Sequence, residues 1–388
     1  MKVPAEFDAI RPYEPEELPE VIGRLSQDRE FMGVMTMLFP DIPAGDIKAR
    51  MRQCTDNLEL EKVFAYPLLK KLVMEKGKGL TADYSQVDLS CRHTFISNHR
   101  DIILDSALLD VSLLDAHSTT TAEIAIGDNL LAKPWIRDVV RVAKAFIVLR
   151  SLTPKEFLLS SRRMADYMHF AIGQKHENIW IAQREGRAKD SNDLTQPSIL
   201  KMMAMGGEGS LKQRLIDLHL CPLSISYEYD PCDYLKAREF QLKRDTDYRK
   251  TREDDLLNMK TGIFGYKGYI HYHCAPCIDG WLESLPDGMP KAEFFDTVAR
   301  YIDTQIHAHY RLYPCNYIAL DMLDPDALRT CGNASGQARY TPQEKEAFQE
   351  YLNARIAMID LPDRDVEFLT GKILEMYANP LRNYLKTL

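Results

Sequence analysis

Thr94-Phe95-Ile96-Ser97-Asn98-His99-Arg100-Asp101-Ile102-Ile103-Leu104-Asp105-Ser106-Ala107-Leu108-Leu109 passes from a short β-like run, through a polar turn, into an apolar stretch. Further β-like runs follow at Ala122-Glu123-Ile124-Ala125-Ile126, Ile179-Trp180-Ile181-Ala182, Leu223-Ser224-Ile225-Ser226-Tyr227 and Tyr269-Ile270-His271-Tyr272. Helical patterns lie between most of them, for example Ile136 to Leu149 and Ser210 to Leu218. Such alternation predicts an α/β domain with a largely parallel central sheet, placed at 86–295.

The flanks read as helical. In the N-terminal region, 1–85, Pro15-Glu16-Glu17 suits a first helical turn. Leu58, Leu60, Val63, Phe64, Leu68, Leu69 and Leu72 then recur at roughly helical spacing, closed by Gly77 and Gly79. In the C-terminal region, 296–388, Thr341-Pro342-Gln343-Glu344 is a capping box, and Val366, Leu369, Ile373 and Met376 mark a last amphipathic helix. The charge-dense stretch from Lys236 to Glu253 reads as a mobile excursion.

The 388 residues suffice for a full core, and 45% hydrophobic with 27% charged residues excludes wholesale disorder. A net charge of −8 argues against a general nucleic-acid binder. The eight cysteines lack the dense spacing of a small secreted scaffold, and the first residues lack a signal peptide's apolar core. No apolar run approaches the ~20 residues that span a bilayer. The expectation is a reduced, cytoplasmic protein whose membrane contact, at the inner face, is peripheral.

Four segments could carry chemistry. His99 follows a strand at the sheet edge where α/β folds place ligands, and a neighbouring carboxylate would make its imidazole a general base near neutral pH. The plainer account has Asn98 capping the next helix and His99 simply exposed. Arg137, Arg141 and Lys144 form a basic stripe beside an apolar helix face, suited to an anionic bilayer or to a solvated surface. At Gln183-Arg184-Glu185-Gly186-Arg187-Ala188-Lys189 the chain leaves a strand at a glycine among cations, which could grip phosphate. His271-Tyr272-His273-Cys274-Ala275-Pro276-Cys277 holds enough N and S ligands for zinc, or a redox pair, but a strand ending in a turn explains it as well.

In order and spacing these segments resemble the lysophospholipid and glycerol-3-phosphate acyltransferase superfamily, in its soluble bacterial, 1-acylglycerol-3-phosphate O-acyltransferase-like branch. The likeness covers roughly 94–228 and continues more weakly to about 275. Asn98-His99 with Asp105 stands for the first block, Phe146-Ile147-Val148-Leu149-Arg150 for the second, Trp180 to Gly186 for the third and Cys221 to Glu228 for the fourth. Five residues rather than four separate His99 from Asp105, so Asp101 is a rival partner. Lys144 stands where the family often has glycine, and Ala188 replaces a usual arginine.

The resemblance implies that His99, oriented by Asp105 or Asp101, deprotonates an acceptor hydroxyl as it attacks an acyl thioester, acyl-CoA or acyl-acyl-carrier protein. Asn98, Arg100, Arg150, Glu185, Gly186, Arg187 and Lys189 would bind an anionic lipid-precursor acceptor: a glycerol phosphate, lysophospholipid or lyso-aminolipid. No metal or other cofactor is required by that chemistry. The competing expectations are a lipid-binding protein of the same fold without turnover, and a metal or redox protein using His271 to Cys277.

Overall fold

In a computed structural model, residues 3–131, 133–149, 153–326 and 339–388 are described. Among them, seven strands form one sheet: β1 (Gly79–Asp83), β2 (Thr94–Ser97), β3 (Ala122–Gly127), β4 (Ala145–Val148), β5 (Asn178–Ala182), β6 (Leu220–Tyr227) and β7 (Tyr269–Cys274). Their order is β1-β7-β6-β2-β5-β3-β4, and each neighbouring pair is parallel except β6–β7. The fold is thus α/β with a largely parallel sheet, and all five β-like runs are strands.

The middle strand shows why so short a run holds. Phe95 and Ile96 point to opposite faces, as the two-residue period requires, and both are fully buried. Phe95 packs with Leu108, Leu223, Ile225 and Tyr272 beneath the helix Leu104–Asp115. Ile96 packs with Phe146, Tyr167, Phe295 and Ile302, under the helices Pro154–Phe170 and Lys291–Ala308. Each such burial contributes about 1.5–3 kcal/mol.

Three expectations need correction. The helical reading of Ile136 to Leu149 fails after Val142: Lys144 takes φ 55°, a left-handed conformation that ends the helix, and Ala145–Val148 continues as an edge strand. Its Ile147 N–H donates to Ile10, so the N-terminal segment covers that edge. The boundaries at 85/86 and 295/296 also do not divide the structure. β1 belongs to the sheet, and Lys291–Ala308 lays Phe295, Val298 and Ile302 into the sheet's own core. Finally, 236–253 is no excursion: most of it lies in the helix Asp233–Asp245, where Lys236 is 1% exposed and bound to Asp230.

The outer helices form two further cores. Leu18, Ile22, Leu25 and Ile47 gather near the N-terminus, and Ile318, Phe348, Leu352 and Ile373 near the C-terminus. The capping box at Thr341 is formed, and the helices Pro342–Ala357 and Val366–Leu385 follow as the spacing predicts. Among the described residues, no helix is long and apolar enough to cross a membrane.

Candidate active site

Asn98 leaves β2 with its amide bonded to β6: Nδ2 donates to the Ile225 carbonyl at 2.9 Å, and Oδ1 accepts from Ile225 N–H at 2.8 Å. It ties β2 to β6 beyond their ladder, and its side chain is fully buried. Capping of the next helix falls to Asp101, whose Oδ1 accepts from Ile103 and Leu104 N–H.

His99 follows Asn98 at the carboxyl edge of the sheet. Its Nδ1 lies 2.8 Å from Asp105 Oδ2, the side chain 14% exposed and the carboxylate fully buried. Asp105 stands in the first turn of Leu104–Asp115, where the helix dipole favours an anion. Arg100 and Asp101 N–H also donate to Oδ2, at 2.6 and 3.0 Å, and Tyr227 O–H donates to Oδ1 at 3.2 Å. So held, the carboxylate can only accept, which puts the imidazole proton on Nδ1 and the lone pair on Nε2. The Trp180 ring meets His99 edge-on at 5.6 Å. Between the rival carboxylates, the geometry pairs His99 with Asp105. Burial, reinforced by Asp105, pushes the Asp101 carboxyl above its usual range.

One strand away, a cleft of about 190 Å³ opens at the carboxyl ends of β3, β4 and β5. Gly127, Val148, Ile181 and Ala182 form its floor, and Phe157, Met164, Ile199 and Met202 its walls. Ala182 pairs in register with Ser97, so the cleft lies one strand from β2; most of its apolar residues pack on the Ile96 and Ile181 face, whereas Trp180 and the helix of Asp105 pack on the other. Arg184 and Glu185 line it too. Arg184 Nε is buried with no protein partner. Glu185 is exposed, its backbone N–H bound to Gln196, and Gly186 turns there with φ 68°.

The other expected acceptor ligands are engaged inside the protein. Arg100 is buried against Asp193 at 2.7 Å. Arg187 is buried and donates to Asn258 at 2.9 Å. Lys189 pairs with Glu239, and burial pushes its ammonium down to about 8. Arg100 and Lys189 each pair with a carboxylate, whereas Arg187 bonds a neutral amide; Arg100 and Arg187 each keep a buried Nη1 with no protein partner. Arg150 lies outside the described residues.

The basic stripe dissolves as well. Arg137 is exposed, but Arg141 is buried on the Tyr13 ring and bonded to Arg11 and Asp8 carbonyls. Lys144, beyond the helix end, turns inward to Glu177, Thr120 and Thr121. In the His271–Cys277 segment the strand alternation separates the ligands. His271 meets Thr81 and His273 stacks on His309, while Cys274 is buried on the opposite face. The sequence reading named Arg184 only as one of the cations clustered at the glycine turn, and did not assign Tyr227 to the site. Tyr227 closes the fourth block's apolar strand, and a polar-tipped residue at a strand end was its available signal.

No family model matches the chain, and no curated protein is significantly similar to it.

Proposed function

We propose that this chain is an O-acyltransferase that moves a fatty acyl group from a thioester, acyl-CoA or acyl-acyl-carrier protein, to a hydroxyl of an anionic lipid precursor. The observation that carries the reading is the His99–Asp105 pair at the carboxyl edge of the sheet, with an apolar cleft one strand away at the same edge. An imidazole with a free nitrogen supplies the general base that thioester-to-alcohol transfer needs, and the cleft offers a site for an alkyl chain. His99 Nε2 takes the hydroxyl proton as the acceptor oxygen attacks the thioester carbonyl. The C–O bond forms, the C–S bond breaks, and the thiolate leaves with the proton that the imidazolium returns. Asp105 holds the ring and stabilises its charged form.

The donor's acyl chain lies along Met164, Ile199 and Met202. Arg184, at the cleft and with a buried unpartnered Nε, meets the acceptor's anionic group. Lipid acceptors are drawn from a membrane that the protein visits peripherally. A second reading, lipid binding without turnover, is favoured by the internal pairing of Lys189 with Glu239.

Purified protein, supplied with a panel of glycerol phosphate, lysophospholipid and lyso-aminolipid acceptors and both kinds of donor, separates the two. Transfer that His99→Ala abolishes, in a protein still folded, supports the enzyme. Lipid binding with no transfer to any acceptor supports the second reading.

A further inference from the structure

At the edge of the sheet opposite His99, the chain gathers sulfur and imidazole ligands from three segments. His93 enters β2, Cys221 lies near the start of β6, and Cys277 follows β7. Because β7 runs against β6, the chain after it returns along β6: Ala275 N–H bonds the Pro222 carbonyl and Ile278 N–H that of Leu220. Cys277 thereby comes to Cys221. The ligand atoms of His93, Cys221 and Cys277 all lie within 4.8 Å of one another. A second group, His219, Cys277 and Asp279, meets the same limit and shares the same thiol.

His93 points to a ligand independently of that proximity. The residue is 6% exposed, and its Nε2 lies 3.0 Å from the Asp88 carbonyl. A carbonyl only accepts, so Nε2 carries the proton and Nδ1 the lone pair. Nδ1 is buried with no protein partner. An imidazole fixed through one nitrogen by a backbone carbonyl, its other nitrogen buried and unpartnered and two sulfurs close to the ring, is how proteins present histidine to a metal. On the other side of Cys277, His219 Nδ1 is bound to Asp279 Oδ2 at 2.6 Å. A cavity of about 560 Å³, lined by His93, His176, His219, Cys277 and Asp279, gives an ion access.

We propose that His93 Nδ1, Cys221 Sγ and Cys277 Sγ bind a borderline-soft divalent ion of the zinc type, the fourth position being supplied by the His219–Asp279 pair. Two thiolates and an imidazole select zinc over hard cations, and four N/S/O donors suit its tetrahedral geometry. The ion fastens β2, β6 and the segment after β7 at the edge away from His99, so its role is structural. Cys277 belongs to the sequence's CxxC, but its metal-binding partners are His93 and Cys221 rather than Cys274 or the HxH pair. This inference does not depend on acyl transfer.

The test uses the full chain, reduced, stripped with chelator and titrated with Co²⁺, then with Zn²⁺. The expected result is a saturable thiolate-to-cobalt charge-transfer band with tetrahedral d–d absorption, displaced by Zn²⁺. Cys221→Ser and Cys277→Ser abolish the band, and His93→Gln weakens binding. Asp279→Asn weakens it about 10–100-fold, the range for a residue supporting a ligand. Cys274→Ser and His99→Ala bind as the wild type does. No charge-transfer band on the reduced wild-type chain overturns the proposal without reliance on any variant. So does a band that survives in Cys277→Ser.

Discussion

Gly262, on the helix Arg252–Phe264, lies directly against the Asp101 carboxylate: a β-carbon at 262 would stand 2.0 Å from Asp101 Oδ2. Asp101 caps the helix that carries Asp105, so this contact reaches the His99 pair through a single residue. Gly262→Ala forces either the helix or the cap to move. The expected outcome is a loss of about 1–3 kcal/mol in urea unfolding, with lower turnover. Unchanged stability and turnover would show that the cap does not depend on the glycine.

The two buried aspartates are expected to respond differently to amidation. Asp105→Asn removes the acceptor that holds the Nδ1 proton of His99, and acyl transfer should fall by roughly 10²-fold or more. Asp101→Asn keeps a good capping group, so its loss should be much smaller. Steady-state rates measured side by side decide the matter. A larger loss in Asp101→Asn would reassign the partner of His99.

The cleft wall offers a test of donor fit. Ile199→Trp fills space between Ile199 and the floor residues Ile181 and Ala182. Preference should shift toward shorter acyl donors, with KM for long-chain donors rising on the order of 10-fold, the scale of one or two methylenes. A KM series over chain length reads this, and an unchanged profile would place the acyl chain elsewhere.

Lys267 gives a pH dependence of defined sign. It is 2% exposed, donates to the Ile263 and Gly265 carbonyls, and burial pushes its ammonium from 10.5 down to about 8. Below about pH 8 both folded and unfolded chains carry the proton, and the full penalty of burying the charge is present. Between about 8 and 10.5 the folded chain has shed the proton while the unfolded chain keeps it. The unfolded state then binds more protons, so stability from this site rises with pH, by at most about 1.4 kcal/mol per pH unit. Urea unfolding of wild type and Lys267→Met across this window should show the difference moving in the wild type's favour. A flat difference would mean that Lys267 keeps its charge throughout.

The sheet was legible where apolar runs were short and bounded by polar turns, as at Thr94–Ser97 and Asn178–Ala182. The His99 turn was legible because its polar residues interrupt such a run. β4 was hidden since Ile136 to Leu149 keeps helical spacing, while the break depends on Lys144 taking a left-handed backbone. The charges misled for another reason. Lys144, Lys189 and Arg187 find their partners Glu177, Glu239 and Asn258 at 33, 50 and 71 positions along the chain. Local pattern reading sees an unpaired cation there, whereas the fold buries a pair. Tyr227 is a like case, reaching Asp105 over 122 positions.

Because β2 is bonded on both sides, to β5 and β6, and Asn98 adds two further bonds to β6, the mount of His99 has no free edge from which to fray. Amide hydrogens there are expected to exchange with solvent only through a deep opening of the fold. The cleft's walls are helices whose Phe157, Leu158 and Leu159 face solvent, and they can breathe without it. Hydrogen exchange is thus expected to be slow in the strand under the imidazole and faster in the helices around the cleft.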